Sequence, residues 1–219
     1  IALTTSVQAT QTTVESTITP TETVALTPLQ SEISKRLESL STSSKADRQR
    51  TKEIREWYEN RSYGSIWTKS GQPSAEAQEV IFSLMSAYEQ GLIAADYQAE
   101  KLFGKLSSST NQSVADFEIS LSLAAVTFGQ HLFSGRMEPT KINREVMLYP
   151  NDISAGSILD KLATSKSPKL ALSTLSPNTP RYDRMRSLLL SLRLAEARGG
   201  WTTVPEGEVL KEGMTDDRV

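Results

Sequence analysis

The chain has 219 residues, a formal net charge of -2 and 37% hydrophobic against 23% charged residues, enough for one sizeable domain with a real core. It holds no cysteine and a single histidine, His131, which excludes a disulfide framework, a thiolate or multi-histidine metal site and a cysteine nucleophile within this chain. Its near-neutral charge argues against nucleic acid as a partner, and no apolar run is long enough to span a membrane.

Residues 1–26 hold nine threonines, few large apolar side chains and no periodicity. Such a stretch buries too little surface to offset its ordering entropy and reads as a disordered linker. The start at Ile1 rather than Met points to chain upstream of it. From Thr27 the pattern changes. Thr27-Pro28-Leu29-Gln30 predicts a capped helix start, and Leu29, Ile33, Leu37 and Leu40 share one helical face. A polar helix is expected over about 47–60, carrying Ile54, Trp57 and Tyr58. Ser70-Gly71-Gln72-Pro73 predicts a turn, and Ser74 caps a helix with Ala77, Val80, Ile81, Leu84, Met85 and Tyr88 inward. Gly91 is expected in the left-handed position that stops it. Asp96 is expected to cap a shorter helix with Leu102, Phe103 and Leu106.

Residues 114–133 are apolar on most sides, as a helix at the centre of a helical domain should be, and Gly135 should end it. Residues 136–155 read as irregular. Helices are expected at about 156–164, in a short piece between Pro168 and Pro177, and from Thr179-Pro180 onward. That last helix carries Tyr182, Met185, Leu188, Leu189, Leu192 and Ala195 as its apolar set and stops at Gly199-Gly200. Only Trp201–Val204 alternates with period two. The fold class is therefore all-α: an irregular multi-helix body over 27–200, preceded by a disordered head and followed by a connecting segment, 201–219.

No phosphate-binding loop, nucleophile elbow, dinucleotide fingerprint or metalloprotease motif is present, and no cofactor is expected. His131 is either a general base or ligand contact, or a structural imidazole satisfied near a helix C-terminus. Arg136, just past Gly135, has the planar fork for a carboxylate, from a neighbouring helix or from a ligand. Glu53 and Glu56 share a helix with Arg50, Lys52 and Arg55, which predicts a solvated, salt-bridged face. Trp57, Trp67 and Trp201 would serve as an aromatic platform for sugar rings or as core. Trp67, His131, Arg136 and Trp201 are the candidate ligand or domain-contact residues, and no catalytic residue is assigned.

Five strings in fixed order carry a resemblance. They are Tyr63-Gly64-Ser65-Ile66-Trp67-Thr68 with Gly71 and Ser74, then Gly91-Leu92 with Asp96-Tyr97, then His131-Leu132 with Gly135-Arg136 and Pro139. Pro177, Pro180 and Tyr182 with Gly199-Gly200-Trp201 form the fourth, and Val204 to Gly207 with Leu210 to Val219 the fifth. Together they resemble the N-terminal region of the large periplasmic murein L,D-transpeptidases. The resemblance implies a helical scaffold domain that precedes a peptidoglycan-binding module and a cysteine catalytic domain. It implies an enzyme that links peptidoglycan stem peptides between two meso-diaminopimelate residues in the periplasm, with peptidoglycan and its own catalytic domain as partners. This chain carries no counterpart of the catalytic cysteine, so on its own it is expected to be inert. The alternatives from other classes are a helical module that docks a partner protein, and a helical carbohydrate-active enzyme using paired carboxylates.

Overall fold

A computed structural model describes residues 25–42, 44–107, 109–137, 139–143, 145, 147, 149–201, 206, 207, 209, 211–213 and 215. The threonine-rich head expected over 1–26 lies outside the described residues except for Ala25 and Leu26, as do residues 202–204 of the period-two stretch and most of 204–219.

Helix α1, Pro28–Glu38, begins with the capping box: Thr27 Oγ1 accepts from the Gln30 amide, and Gln30 Oε1 accepts from the Thr27 amide at 2.7 Å. The two bonds satisfy free donors at the helix start reciprocally. Ile33 and Leu37 point inward and are fully buried, and α1 lies along the central helix. Helix α2, Lys45–Glu59, starts earlier than the apolar pattern indicates because Ser44 caps it. Trp57 and Tyr58 enter the core from its last turn.

Beyond α2 the chain makes a short hairpin, β1 Thr68–Lys69 with β2 Gln72–Pro73, paired antiparallel with Thr68 opposite Pro73. A turn was the expectation here. Ser70 and Gly71 both have positive φ, 52° and 75°, the backbone of the two-residue turn that matches strand twist. Ser74 then caps α3, Ala75–Met85.

The helical path from α3 goes on as a 3-10 turn, Ser86–Gln90, and stops at Gly91 with φ 73°. The Leu92 amide bonds back to the Ala87 carbonyl at 3.1 Å, and Leu92 is buried. Ala77, Val80, Ile81 and Leu84 are core as expected, whereas Met85 and Tyr88 are exposed. The tighter 3-10 winding, which begins at Ser86, turns Tyr88 away from the inward face, while Met85 ends α3 at the edge of that face. Gly91→Ala should cost about 1 kcal/mol, because an added Cβ has room beside Leu189 and only the left-handed backbone resists it. Chemical denaturation reads this, and an unchanged stability would contradict the backbone assignment.

Asp96 caps nothing. It lies inside a second 3-10 turn, Ala94–Tyr97, and α4, Ala99–Gly104, starts after Gln98, whose φ is 52° and whose side chain makes no cap bond. Phe103, expected inward, is also exposed.

Helix α5, Asn111–Ser134, is the axis of the fold. Thr110 caps it, and Phe117, Ile119, Leu121, Ala125 and Val126 are fully buried along it. Gly135 ends it with φ 81°. After a single short turn, α6 Pro139–Ile142, come α7 Ala155–Thr164, capped by Ser154, and α8 Pro168–Ser173, capped by Ser167. Ile158, Leu159 and Leu162 close the core against α5 and α2. Helix α9, Pro180–Ala197, departs from expectation: it buries no residue. Met185, Leu188 and Leu192 are exposed, and the partly covered residues are Tyr182, Arg186, Leu189, Leu190, Arg193 and Ala195. Arginines occupy the inner face because they have partners there. Arg186 donates to the Glu89 carbonyl, Arg193 lies 5.8 Å over the Tyr88 ring, and Tyr182 donates to Gln90.

The architecture is all-α apart from the small hairpin, a ring of short helices around α5.

Candidate functional site

The end of α5 brings His131 and Arg136 to the 3-10 turn that carries Asp96 and Tyr97. His131 Nδ1 is 2.9 Å from the Tyr97 hydroxyl, and the Tyr97 ring stands edge-on to Phe128. Burial, with help from the cations of Arg50 and Arg136, holds the imidazole below its usual titration range. Burial and the Asp96 carboxylate push the Tyr97 phenol up to about 12. Near neutrality both rings are therefore uncharged, and the pair is a structural hydrogen bond. Arg136 Nη1 meets Asp96 Oδ2 at 2.9 Å. This is the neighbouring-carboxylate role, supplied by the residue first read as a cap.

The corner opens on a cleft of about 560 Å³ between α2, the end of α5 and residues 150–153. Its wall on α2 is where the solvated-face reading fails. Glu53 Oε2 accepts from the Ala155 amide at 2.6 Å, so a carboxylate on α2 holds the first turn of α7. Arg50 donates to Gln130 Oε1 at 2.7 Å and pairs with Asp47, and Arg55 donates to the Leu37 carbonyl. Of that face only the Lys52–Glu56 pair, at 3.7 Å, is the loose surface contact expected. The cleft presents hydroxyl, amide, guanidinium, imidazole and carboxylate groups, from Ser134, Gln49, Gln130, Arg50, Arg136, His131, Glu53 and Asp152.

His131→Ala should cost about 1 kcal/mol through loss of a half-buried hydrogen bond. Arg136→Ala should cost less, at most about 0.5 kcal/mol, because its ion pair is open to solvent. Thermal denaturation of both variants measures this, and the reverse order would contradict the geometry.

The tryptophans form no platform. Trp67 is a core residue, 1% exposed, with its indole N–H donating to Ser122 at 2.7 Å. Trp57 is buried and donates to Asp160 at 2.7 Å. Trp201 is exposed, apart from both. Trp67 is thus withdrawn as a ligand contact: a large ring with an N–H is held inside when a buried hydroxyl accepts from it.

The polar centre that sequence reasoning missed is Glu118. It sits on α5, fully buried, and its Oε1 accepts from the Ile66 amide at 2.6 Å, the Tyr58 hydroxyl at 2.9 Å and the Trp67 amide at 3.2 Å. Ser122, one turn on, joins Tyr58 and Trp67. This cluster locks the loop after α2 onto the central helix. Burial raises the Glu118 carboxyl to about 7, against hydrogen bonds from Ile66, Tyr58 and Trp67 that favour the charged form. Little in the sequence marked it, because Asp116 and Ser120, also an acidic residue and a serine four apart, lie on the same helix. Among the described residues no group of three His, Asp or Glu side chains is placed to hold a metal.

No curated protein and no solved structure gives a significant match to this chain. Residues 52–189, well over half of the chain, match the family model described as Scaffold domain. That stretch runs from the second turn of α2 into α9 and includes the Glu118 cluster and the His131 corner. The chain belongs to the Scaffold domain family.

Proposed function

We propose that this chain is the non-catalytic scaffold of a periplasmic murein L,D-transpeptidase, which holds the catalytic and peptidoglycan-binding parts of the enzyme during cell-wall cross-linking. The observation that carries the reading is the Scaffold domain match over 52–189, a span that contains three of the ordered strings whole and the start of a fourth. The chemistry on the page agrees. The body has a well-buried helical core, and the charged groups of its clefts are largely engaged with one another.

The test is the muropeptide profile of cells lacking the gene. Loss of cross-links between two diaminopimelate residues, restored by the intact gene, supports the reading. An unchanged profile contradicts it. A second readout is fractionation, which should place the gene product in the periplasm. The isolated chain should neither cross-link nor hydrolyse purified muropeptides. Hydrolysis would favour the paired-carboxylate enzyme instead.

A further inference from the structure

Helix α9 is joined to the body unlike the helices around it. Every other α-helix of six residues or more sends side chains into the core, and α9, with 18 residues, sends none. Its hydrogen bonds and ring contacts with the body gather on the Ser86–Gln90 turn. Tyr182 Oη donates to Gln90 Oε1 at 2.8 Å, Arg186 Nε donates to the Glu89 carbonyl at 3.2 Å, and the Arg193 guanidinium lies 5.8 Å over the Tyr88 ring. Leu189 lies over Gly91 and is only partly covered. Among the described residues no ion pair ties α9 to the body.

This dock is made of groups whose partners water can replace. A phenol hydroxyl, a carboxamide and a guanidinium each lose one hydrogen bond on separation and regain one from solvent. The apolar side chains add little to the cost, because Met185, Leu188, Leu192 and Leu194 are exposed in the docked state already. Separation therefore brings little new apolar surface into water. The turn that receives α9 does not leave with it: Ala87 and Leu92 hold it in the core.

The helix is also equipped to persist on its own. Thr179 caps it, Pro180 opens it, and its interior is rich in leucine, arginine and alanine, which favour helix. Its 18 residues exceed the roughly 12–15 below which isolated helices are marginal.

Each end of α9 has a joint. Pro177, Asn178 and Thr179 are exposed, and among the described residues no hydrogen bond ties them to the body. At the other end Gly199 and Gly200 take φ of 112° and 75°, and a Cβ at either would meet nothing within 4 Å. A weak, water-replaceable dock between two open joints is the description of an element that opens locally while the core stays shut.

We propose that α9 is a hinged arm, which pivots as an intact helix on residues 177–179, docks reversibly on the Ser86–Gln90 turn, and so gives the segment beyond Gly200 two orientations relative to α5. The docked form is the major one, and the undocked form is a minor population of roughly 0.1–10%. The arm is a property of this fold and stands whether or not the role proposed above holds.

The experiment measures distances between spin labels in this chain. It has no cysteine, so Gln78→Cys on α3 and Ser191→Cys on α9, both exposed, take two labels at defined places. With the dock intact the pair should give one main distance. Tyr182→Phe, Arg186→Ala and Arg193→Ala together, all at partly covered positions outside the core, should raise the undocked fraction at least tenfold and add a broad second distance. Arg181→Ala with Arg184→Ala removes as much charge from exposed positions of the same helix and should leave the main distance alone. Cα chemical shifts over 183–195 should remain helical in the triple variant, and the α5 amides should remain protected from exchange. A single narrow distance in the triple variant would overturn the proposal, as would equal broadening from the Arg181 and Arg184 pair. Loss of the helical shifts with the broadening would overturn it too, because α9 would then melt rather than swing.

Discussion

Glu118→Ala should destabilise the domain by about 3–5 kcal/mol, as much as truncating a buried aromatic ring. The carboxylate is the common acceptor for two backbone amides and a tyrosine hydroxyl, of which the Trp67 amide and the Tyr58 hydroxyl are buried and the Ile66 amide partly so. Alanine leaves the Ile66 and Trp67 amides without partners, and only Tyr58 keeps another, Ser122. Glu118→Gln retains one carbonyl oxygen for these donors and should lose about 1–2 kcal/mol.

The same residue gives a pH signature with a definite sign. Its carboxyl rises from 4.5 to about 7 on folding. The folded state therefore holds a proton that the unfolded state releases between these values. Stability from this group is full below pH 4.5 and is lost as pH rises to about 7. The difference is of order 3 kcal/mol, from the width of that window. His131 works in the opposite direction, because its lowered pKa gives stability above 6.5 that is lost as pH falls. Comparing urea denaturation of the wild type and Glu118→Gln at pH 5 and 7.5 isolates the glutamate. The wild type should lose more stability than the variant over that interval, and equal slopes would contradict the buried, proton-holding carboxyl.

Gly129→Val should cost about 2–3 kcal/mol by overpacking. A Cβ at this position would sit 3.1 Å from Cδ1 and Cγ2 of Ile158 and from Cδ1 of Leu175. Glycine here lets α7 and the end of α8 approach the central helix closely. Alanine gains about 1 kcal/mol of helix propensity and should largely cancel its milder clash. Pairing Gly129→Val with Ile158→Ala should recover part of the loss, since the second change removes the atoms that the first one strikes. Strict additivity of the two would show that the helices do not meet at this glycine.

These two sites mark what the sequence disclosed and what it withheld. Capping at Thr27, Ser74 and Thr179, the stop at Gly91 and the apolar run of α5 were legible because each is a local rule within a few residues. Asp96 as a cap, Glu53 as a solvated charge and the leucines of α9 as core were misread for one reason. Asp96 and Glu53 have their partners far away in sequence, on Arg136 and on the α7 start, and α9 lays a stripe containing arginines, not its leucine face, against the Ser86–Gln90 turn. Arginine on an inner helix face contradicts the amphipathic pattern unless the carbonyl and ring it meets are known. Of the candidate site, a carboxylate from a neighbouring element was one of the partners expected for Arg136, but the helix-end argument did not point to the Tyr97 hydroxyl that meets His131. The Glu118 cluster was not legible, because its partners Tyr58, Ile66 and Trp67 lie more than fifty residues away in sequence.

The central claim is that this helical body orients an L,D-transpeptidase on its polymer. The most direct measurement is the muropeptide profile of cells in which residues 52–189 of the full-length gene product are replaced by a flexible linker of equal reach. The account predicts that diaminopimelate–diaminopimelate cross-links fall to the level of the gene deletion while the protein remains present in the envelope. Cross-linking at the wild-type level from the linker variant would contradict it.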